Sequence, residues 1–495
     1  MHAASHDLAW EQARAALSAG RADQAIALLE PQCHGDGSAP ARVWQLLGFA
    51  LREEQRMPEA IAAFERAAAA EPAATALTTT ALAQTKLQCG LPALADCQRA
   101  LALSPGNESL VLSLASAFVA DGQRAQAEAV LEAALALRMD WLEGQWGLAE
   151  IRWTGGDRTG YARGYAAACA KLPSFLPLRM GWFRLLALTR DWPAARALID
   201  EGERIHGAQR AFTVARTFIA AESGERAEAE ALFQQTRGWD DEVRDLAWIR
   251  HCLRERRARE SEPEALRIAR TSSARLAWPY LSLIWRLLGD PRAAWLDGAP
   301  PCVRAYDVDL DAGHLEELAA LLRSLHTARA PYLEQSVRGG TQTERPLFFR
   351  TEPILQLARA RILDAVREYI GALPPREDGH PLLGPPRTQL LFSGSWSVRL
   401  LGQGYNVAHT HPLGWISSAF YVSLPTPARM GAPPAGWIRF GEAPPELGLG
   451  LPHYAEVEPR PGRLALFPST MWHATVPFEA GERLVLAFDV RPPGR

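Results

Sequence analysis

Long hydrophobic runs are missing from this chain. No stretch among its 495 residues approaches the roughly 20 apolar residues that a bilayer span needs, so no membrane segment is expected. Net charge is nearly absent as well: 53 Lys and Arg against 56 Asp and Glu leave -3, with no electrostatic reason to expect nucleic acid or an anionic surface as partner. Cysteine is scarce. Cys33, Cys89, Cys97, Cys169, Cys252 and Cys302 are scattered with no CxxC pair, which argues against a disulfide framework or a structural zinc site. The first residues, Met1 to Asp7, lack the basic and apolar regions of a signal peptide. These absences point to a cytoplasmic protein with reduced thiols. What is present is an ordinary soluble balance, 48% hydrophobic and 22% charged residues, in a chain long enough for two or three domains.

Residues 9 to about 297 are rich in Ala, Leu, Arg and Glu, with apolar positions at helical spacing. Short breaks such as Ala19-Gly20-Arg21, Asp121-Gly122-Gln123 and Ser223-Gly224-Glu225 recur between amphipathic stretches, the texture of stacked helix pairs. One period is clear. Trp44, Leu47, Gly48, Leu51, Ala60, Phe64, Ala67 and Pro72 resemble the tetratricopeptide pattern, with small Gly48 and Ala60 where two helices cross and Pro72 stopping the second. Cys97, Ala100 and Pro105 follow Phe64, Ala67 and Pro72 by 33 residues. Ala127, Leu131 and Ala134 follow Ala60, Phe64 and Ala67 by 67. Beyond residue 137 the pattern thins to pairs such as Ala195 with Ile199 and Ala229 with Phe233. The expected fold is an all-α tetratricopeptide-like solenoid over 1–297. Its concave face would dock a peptide or protein partner, or serve as a scaffold or dimerisation arm. The mixed charges of Arg250 to Glu262 read as a solvated helix face.

Gly298-Ala299-Pro300-Pro301 breaks the helical pattern, and composition then shifts toward Pro, Gly and β-formers. Two more helices are expected, at 312–326 and 353–372. Short strands follow at 388–401, 405–409, 415–424, 436–440, 463–467, 472–476 and 483–490. So many strands without alternating helices predict a double-sheet jelly roll over 303–495.

His409 and His411 lie two apart at the end of a predicted strand, so both side chains leave the same face. His473 follows 62 residues after His411, and Arg483 ten residues later on the next strand. A close pair plus a distant third ligand is how a β-sandwich builds a three-coordinate site with open positions, the arrangement of non-haem Fe(II) centres. Neutral imidazoles suit a divalent metal, and a fixed guanidinium suits a carboxylate.

Three stretches carry a resemblance to a known family: His409-Thr410-His411-Pro412-Leu413-Gly414-Trp415-Ile416-Ser417-Ser418-Ala419-Phe420-Tyr421-Val422, then Leu466-Phe467-Pro468-Ser469 running on to Trp472-His473-Ala474-Thr475, then Glu482-Arg483-Leu484 leading to Ala487-Phe488-Asp489. With Gln335-Ser336 and Gly339-Gly340-Thr341-Gln342-Thr343, they resemble the 2-oxoglutarate- and Fe(II)-dependent oxygenases found behind tetratricopeptide repeats. The resemblance implies Fe(II), 2-oxoglutarate as cosubstrate and O2. It implies His409 and His473 as metal ligands and Arg483 as partner of the far carboxylate of 2-oxoglutarate. His411 stands where the wider superfamily has a carboxylate. It is read as a third ligand, or as a hydrogen-bond donor beside a site of two histidines and water, or the carboxylate comes from elsewhere. Ser417 and Thr475 are candidate cosubstrate contacts; Trp415, Tyr421, Trp472 and Gln342 are candidate walls of the substrate pocket. The expected activity is hydroxylation of a peptide, protein or peptide-like substrate presented by the repeat domain. The alternatives are a non-catalytic repeat-based interaction protein with a metal-stabilised β-domain, and a three-histidine dioxygenase that does not use 2-oxoglutarate.

Overall fold

The structure is a computed structural model that describes residues 2–33, 39–71, 76–298, 302–387 and 390–492. Pro72, Ala299-Pro300-Pro301 and the predicted strand start at 388–389 lie outside the described residues. No described helix is long and apolar enough to cross a membrane. Residues group by proximity into two compact units: Met1–Arg138 with Arg345–Gln356, and Met139–Glu344 with Leu357–Arg495. This grouping does not follow the compositional shift near residue 300.

The first unit is built of antiparallel helix pairs. Helices Ala41–Glu53 and Met57–Ala70 cross where the sequence has its small residues. A Cβ on Gly48 would lie 2.6 Å from the Phe64 ring, so only glycine lets the helices approach this closely. Leu47, Leu51, Ala60 and Phe64 are buried around that crossing, and Trp44 packs against them partly buried. The inserted segment 345–356 belongs to this core: Phe349 packs against it and Arg345 Nη2 donates to the Ser116 carbonyl at 2.7 Å.

Helix pairing continues in the second unit, past the point where the sequence pattern thins. A Cβ on Gly181 would meet Tyr165 at 2.8 Å, and one on Gly202 would meet Phe212 at 2.6 Å. Ala195, Ile199, Ala229 and Phe233 are buried as their spacing predicts. Arg250 to Glu262 is a solvated face only in part: Arg256, Arg259 and Glu260 are exposed, but other charges of the stretch are engaged by the protein. Arg250 and Arg254 both pair with the buried Glu222, at 2.8 and 2.6 Å, and Arg256 donates to the Leu449 carbonyl at 2.7 Å. Alternating charge at helical spacing looks the same in sequence whether water or another element faces it.

Helices Ala312–Leu325 and Pro353–Gly371 match expectation. Nine described strands follow in chain order: β1 Arg304–Asp307, β2 Val337–Gln342, β3 Phe392–Asn406, β4 Ile416–Ser423, β5 Ile438–Phe440, β6 Ala455–Val457, β7 Arg463–Pro468, β8 His473–Thr475 and β9 Glu482–Val490. They form two antiparallel sheets, one ordered β1-β7-β4-β9-β3-β2 and the other β6-β5-β8. An apolar core of Ala419, Tyr421, Ile438, Phe440, Phe467 and Val485 unites residues of both sheets. Residues 388–401 and 405–409 are not two strands; one long strand, β3, runs through to Asn406. β2 holds the family-like Gly339-Gly340. It bulges against β3, with Gly339 at φ +69° and Gly340 so close that a Cβ would lie 2.2 Å from the Arg399 carbonyl. His326, after the helix Ala312–Leu325, ties it to the main sheet through Thr341 Oγ1 at 2.8 Å and Ser397 Oγ at 3.0 Å.

Two predictions follow from this packing. Gly48→Val overpacks the helix crossing and is expected to destabilise the first unit by about 1–3 kcal/mol, read as a lower urea midpoint of the helical circular dichroism signal. An unchanged midpoint would contradict the close approach. Burial, with the Arg399 charge second, pulls His326 down from 6.5 to about 4. The unfolded chain therefore binds a proton that the folded one refuses, and this contribution to stability falls as pH drops from 6.5 toward 4, by about 3 kcal/mol in all. His326→Gln should flatten that part of the pH–stability curve; a curve parallel to wild type would disprove the assignment.

Candidate metal centre

The site begins with backbone pairing. His409 lies just past the end of β3 and His473 begins β8. The His409 N–H donates to the His473 carbonyl at 3.1 Å and the His473 N–H to the His409 carbonyl at 3.0 Å, an isolated antiparallel bridge. One turn of chain further, the His411 N–H donates to the Ser469 carbonyl at 2.9 Å. These bonds bring three imidazoles from two distant segments together. Ring centroids are 4.2 Å apart for His409–His473, 5.1 Å for His409–His411 and 5.0 Å for His411–His473. A nitrogen of each ring lies within 4.8 Å of the other two.

The rings are oriented as a metal needs them. His409 Nδ1 bonds the Val407 carbonyl at 2.8 Å and His473 Nδ1 the Met471 carbonyl at 3.0 Å. His411 Nδ1 lies 2.7 Å from Asp489 Oδ1. Carbonyl and carboxylate oxygens only accept, so each Nδ1 carries the proton and each Nε2 keeps a lone pair. Burial, with His411 adding to it, pulls His409 down to about 3. Burial and the two neighbouring histidines hold His473 well below its ordinary value. Both rings are thus neutral at physiological pH, the form that binds a divalent metal. Ser336 Oγ lies 3.2 Å from His409 Nε2 and accepts from Asn406 Nδ2 at 2.9 Å.

The histidines line a cavity of about 580 Å³, within the usual range for small-molecule sites. β9 supplies one wall through Arg483, Val485, Ala487 and Asp489, every second residue, as strand alternation requires. Arg483 is 2% exposed. Its Nε donates to the Gly436 carbonyl at 3.2 Å and its guanidinium lies over the Tyr421 ring, 4.9 Å from the centroid. Burial lowers its pKa while Tyr421 works the other way; a guanidinium stays protonated through such shifts. Among the described residues no carboxylate pairs with it. A buried cation that faces a cavity without an acidic partner fits an anionic ligand.

Thr475 and Gln342 also line the cavity, as do Gln335, Ser336, Trp396 and Asn406. The other expected contacts are placed differently. Ser417 stands behind His411 and donates to Asp489 Oδ1 at 2.6 Å, off the cavity wall. Trp415 is 2% exposed and donates Nε1–H to the Leu382 carbonyl at 2.8 Å. Trp472 packs on Tyr280 and donates to the Pro279 carbonyl at 2.8 Å. Tyr421 lies in the intersheet core beneath Arg483. Each aromatic satisfies its bulk in packing, so none of the three walls the cavity. Sequence reasoning missed Trp396 and the part Asp489 plays, and quoted Gln335 without placing it at the cavity; strand alternation from Arg483 is the signal for Asp489.

Residues 394–489 match the family model described as "Putative 2OG-Fe(II) oxygenase". The carboxy-terminal β-region is a domain of this family. No curated protein sequence matches the chain. Among solved structures, similarity is found to a tetratricopeptide repeat protein from Parabacteroides merdae ATCC 43184 (17% identity, 49% of this chain and 97% of that one, TM-score 0.33). It is also found to a Pseudomonas putida prolyl-4-hydroxylase (19% identity, 40% and 96%, TM-score 0.29). At TM-scores this low neither likeness carries functional weight.

Trp415→Phe tests the packing role of this indole. It leaves the Leu382 carbonyl without its donor and is expected to cost about 1–3 kcal/mol of stability, measured by thermal or denaturant unfolding, with unchanged affinity for metal. A large loss of metal affinity at unchanged stability would return Trp415 to the site.

Proposed function

We propose that this protein is an Fe(II)- and 2-oxoglutarate-dependent oxygenase acting on a peptide, protein or peptide-like substrate. One observation carries the reading. Three imidazoles grouped within metal-binding distance of one another line the same cavity as a buried Arg483 guanidinium that, among the described residues, has no carboxylate partner.

In this reading His409, His411 and His473 hold iron through Nε2. Arg483 receives the C5 carboxylate of 2-oxoglutarate, steadied by the Tyr421 ring and the Gly436 carbonyl, and Thr475 lines the same cavity. Bound iron, with 2-oxoglutarate and O2, would supply the oxidising chemistry. The protein's part is to fix orientation and keep the cavity dry, through Val398, Ile438, Val485 and Ala487 on its walls. At the rim Glu334 forms an ion pair with Arg184 of the repeat helix Leu176–Leu188. Repeat helices that reach the cavity rim favour a chain-like substrate over a free metabolite. The repeats would present that chain, as repeat arrays present concave surfaces.

Anaerobic titration with Fe(II) and 2-oxoglutarate is expected to give a weak visible charge-transfer band, and turnover in air to release succinate. Both should vanish in His473→Ala. Arg483→Ala removes a charge-assisted pair worth about 2–3 kcal/mol and should raise the 2-oxoglutarate requirement by roughly 30–100-fold. No band and no succinate at saturating iron would leave the non-catalytic interaction protein as the reading. Oxygen consumption indifferent to 2-oxoglutarate and to Arg483→Ala would favour the three-histidine dioxygenase.

A further inference from the structure

The three imidazoles are not held alike. His409 and His473 each place Nδ1–H on the backbone carbonyl two residues earlier, those of Val407 and Met471. The corresponding carbonyl for His411 is that of His409. That oxygen already accepts the His473 N–H in the bridge that assembles the site. His411 does not follow that pattern: its Nδ1 lies 2.7 Å from Asp489 Oδ1. Asp489 is itself fixed: it sits in register opposite Ser417 of β4, whose hydroxyl donates to the same oxygen at 2.6 Å. It is 7% exposed, on the cavity side of β9, six residues from Arg483.

Charge gives the arrangement a second meaning. The common facial site of this chemistry has two histidines and one carboxylate around the divalent ion, a net charge of +1. Three neutral imidazoles would leave +2. A carboxylate one hydrogen bond away returns the local sum to +1 and raises the basicity of the ring it holds.

We propose that Asp489 is the positioning residue of the metal centre. It fixes His411 as the Nδ1–H tautomer with Nε2 toward the cavity, and supplies from outside the ligand shell the negative charge that a carboxylate ligand would supply within it. The inference rests on His411 being a ligand, as in the function proposed above.

Co(II) titration of the full-length protein, followed by its visible d–d bands, tests this without turnover. Asp489→Asn keeps the volume and removes the charge; it is expected to weaken Co(II) binding roughly 10–100-fold and to alter the band intensities. Ser417→Ala, which keeps the charge but loosens it, should weaken binding in the same direction by less. Once His411→Ala has removed the ring, adding Asp489→Asn should cost little more. Wild-type Co(II) affinity in Asp489→Asn alongside strong loss in His411→Ala would overturn the role of Asp489 and leave the three-histidine site standing. Losses that multiply in the double variant would overturn it too. If Asp489→Asn does not fold, unchanged binding in Ser417→Ala is the overturning result. Wild-type binding in His411→Ala, with loss in His473→Ala, would remove His411 as ligand, and the proposal with it.

Discussion

Two hydrogen bonds between the backbones of His409 and His473 are the constraint on which the site depends. The two residues are 64 positions apart, and nothing else in their local sequences obliges them to meet. The bridge sets the spacing of their rings, and the third ring, His411, is held by the β9 carboxylate of Asp489. Metal ligands carried on paired backbone are held more tightly than ligands on free loops, because a shift of one drags the other. The rest of the β-domain serves this junction. β5 and β8 pair beneath it, with Phe440 opposite His473, and β4 and β9 close the cavity behind.

The helical part of the second unit is continuous with the domain it precedes. Trp472 Nε1 reaches the Pro279 carbonyl, Arg275 the Gly414 carbonyl and Arg256 the Leu449 carbonyl. Trp153 donates to the Pro331 carbonyl, four residues before Gln335 at the cavity. Two of these bonds end on the stretches that flank the candidate ligands, Gly414 beside the His409-His411 segment and Trp472 beside His473. The helices thus act as a wall of the oxygenase domain as well as a repeat array. A strict division at residue 300 describes composition better than it describes packing.

Legibility followed physical cause. The crossing of Gly48 with Phe64 could be read because a glycine and an aromatic at fixed helical spacing have one shared explanation. β4 could be read from Ile416 to Val422 because an unbroken run of small and apolar residues fits a strand buried on both faces. β2 could not: Val-Arg-Gly-Gly-Thr-Gln reads as loop, and its strand state depends on a bulge that only its partner supplies. β6 is three residues inside a Pro- and Gly-rich stretch. The histidines were visible as a set because ligand chemistry restricts residue type. Trp415 and Trp472 misled because a buried indole and a pocket-lining indole have the same sequence signature, and the carbonyls of Leu382 and Pro279 that claim them are remote. Asp489 was hidden by register: its partner is set by which β4 residue lies opposite, and no local pattern states that.

β9 carries both Arg483 and Asp489 on one face, six residues apart. Strand alternation then couples their fates. A slip of one residue in the pairing of β9 would turn both toward the opposite layer at once and put Leu484 and Phe488 in the cavity. The domain therefore has no halfway version of its site. A chain that closes its sheet in the wrong register loses the Arg483 guanidinium and the Asp489 support of His411 from the cavity together.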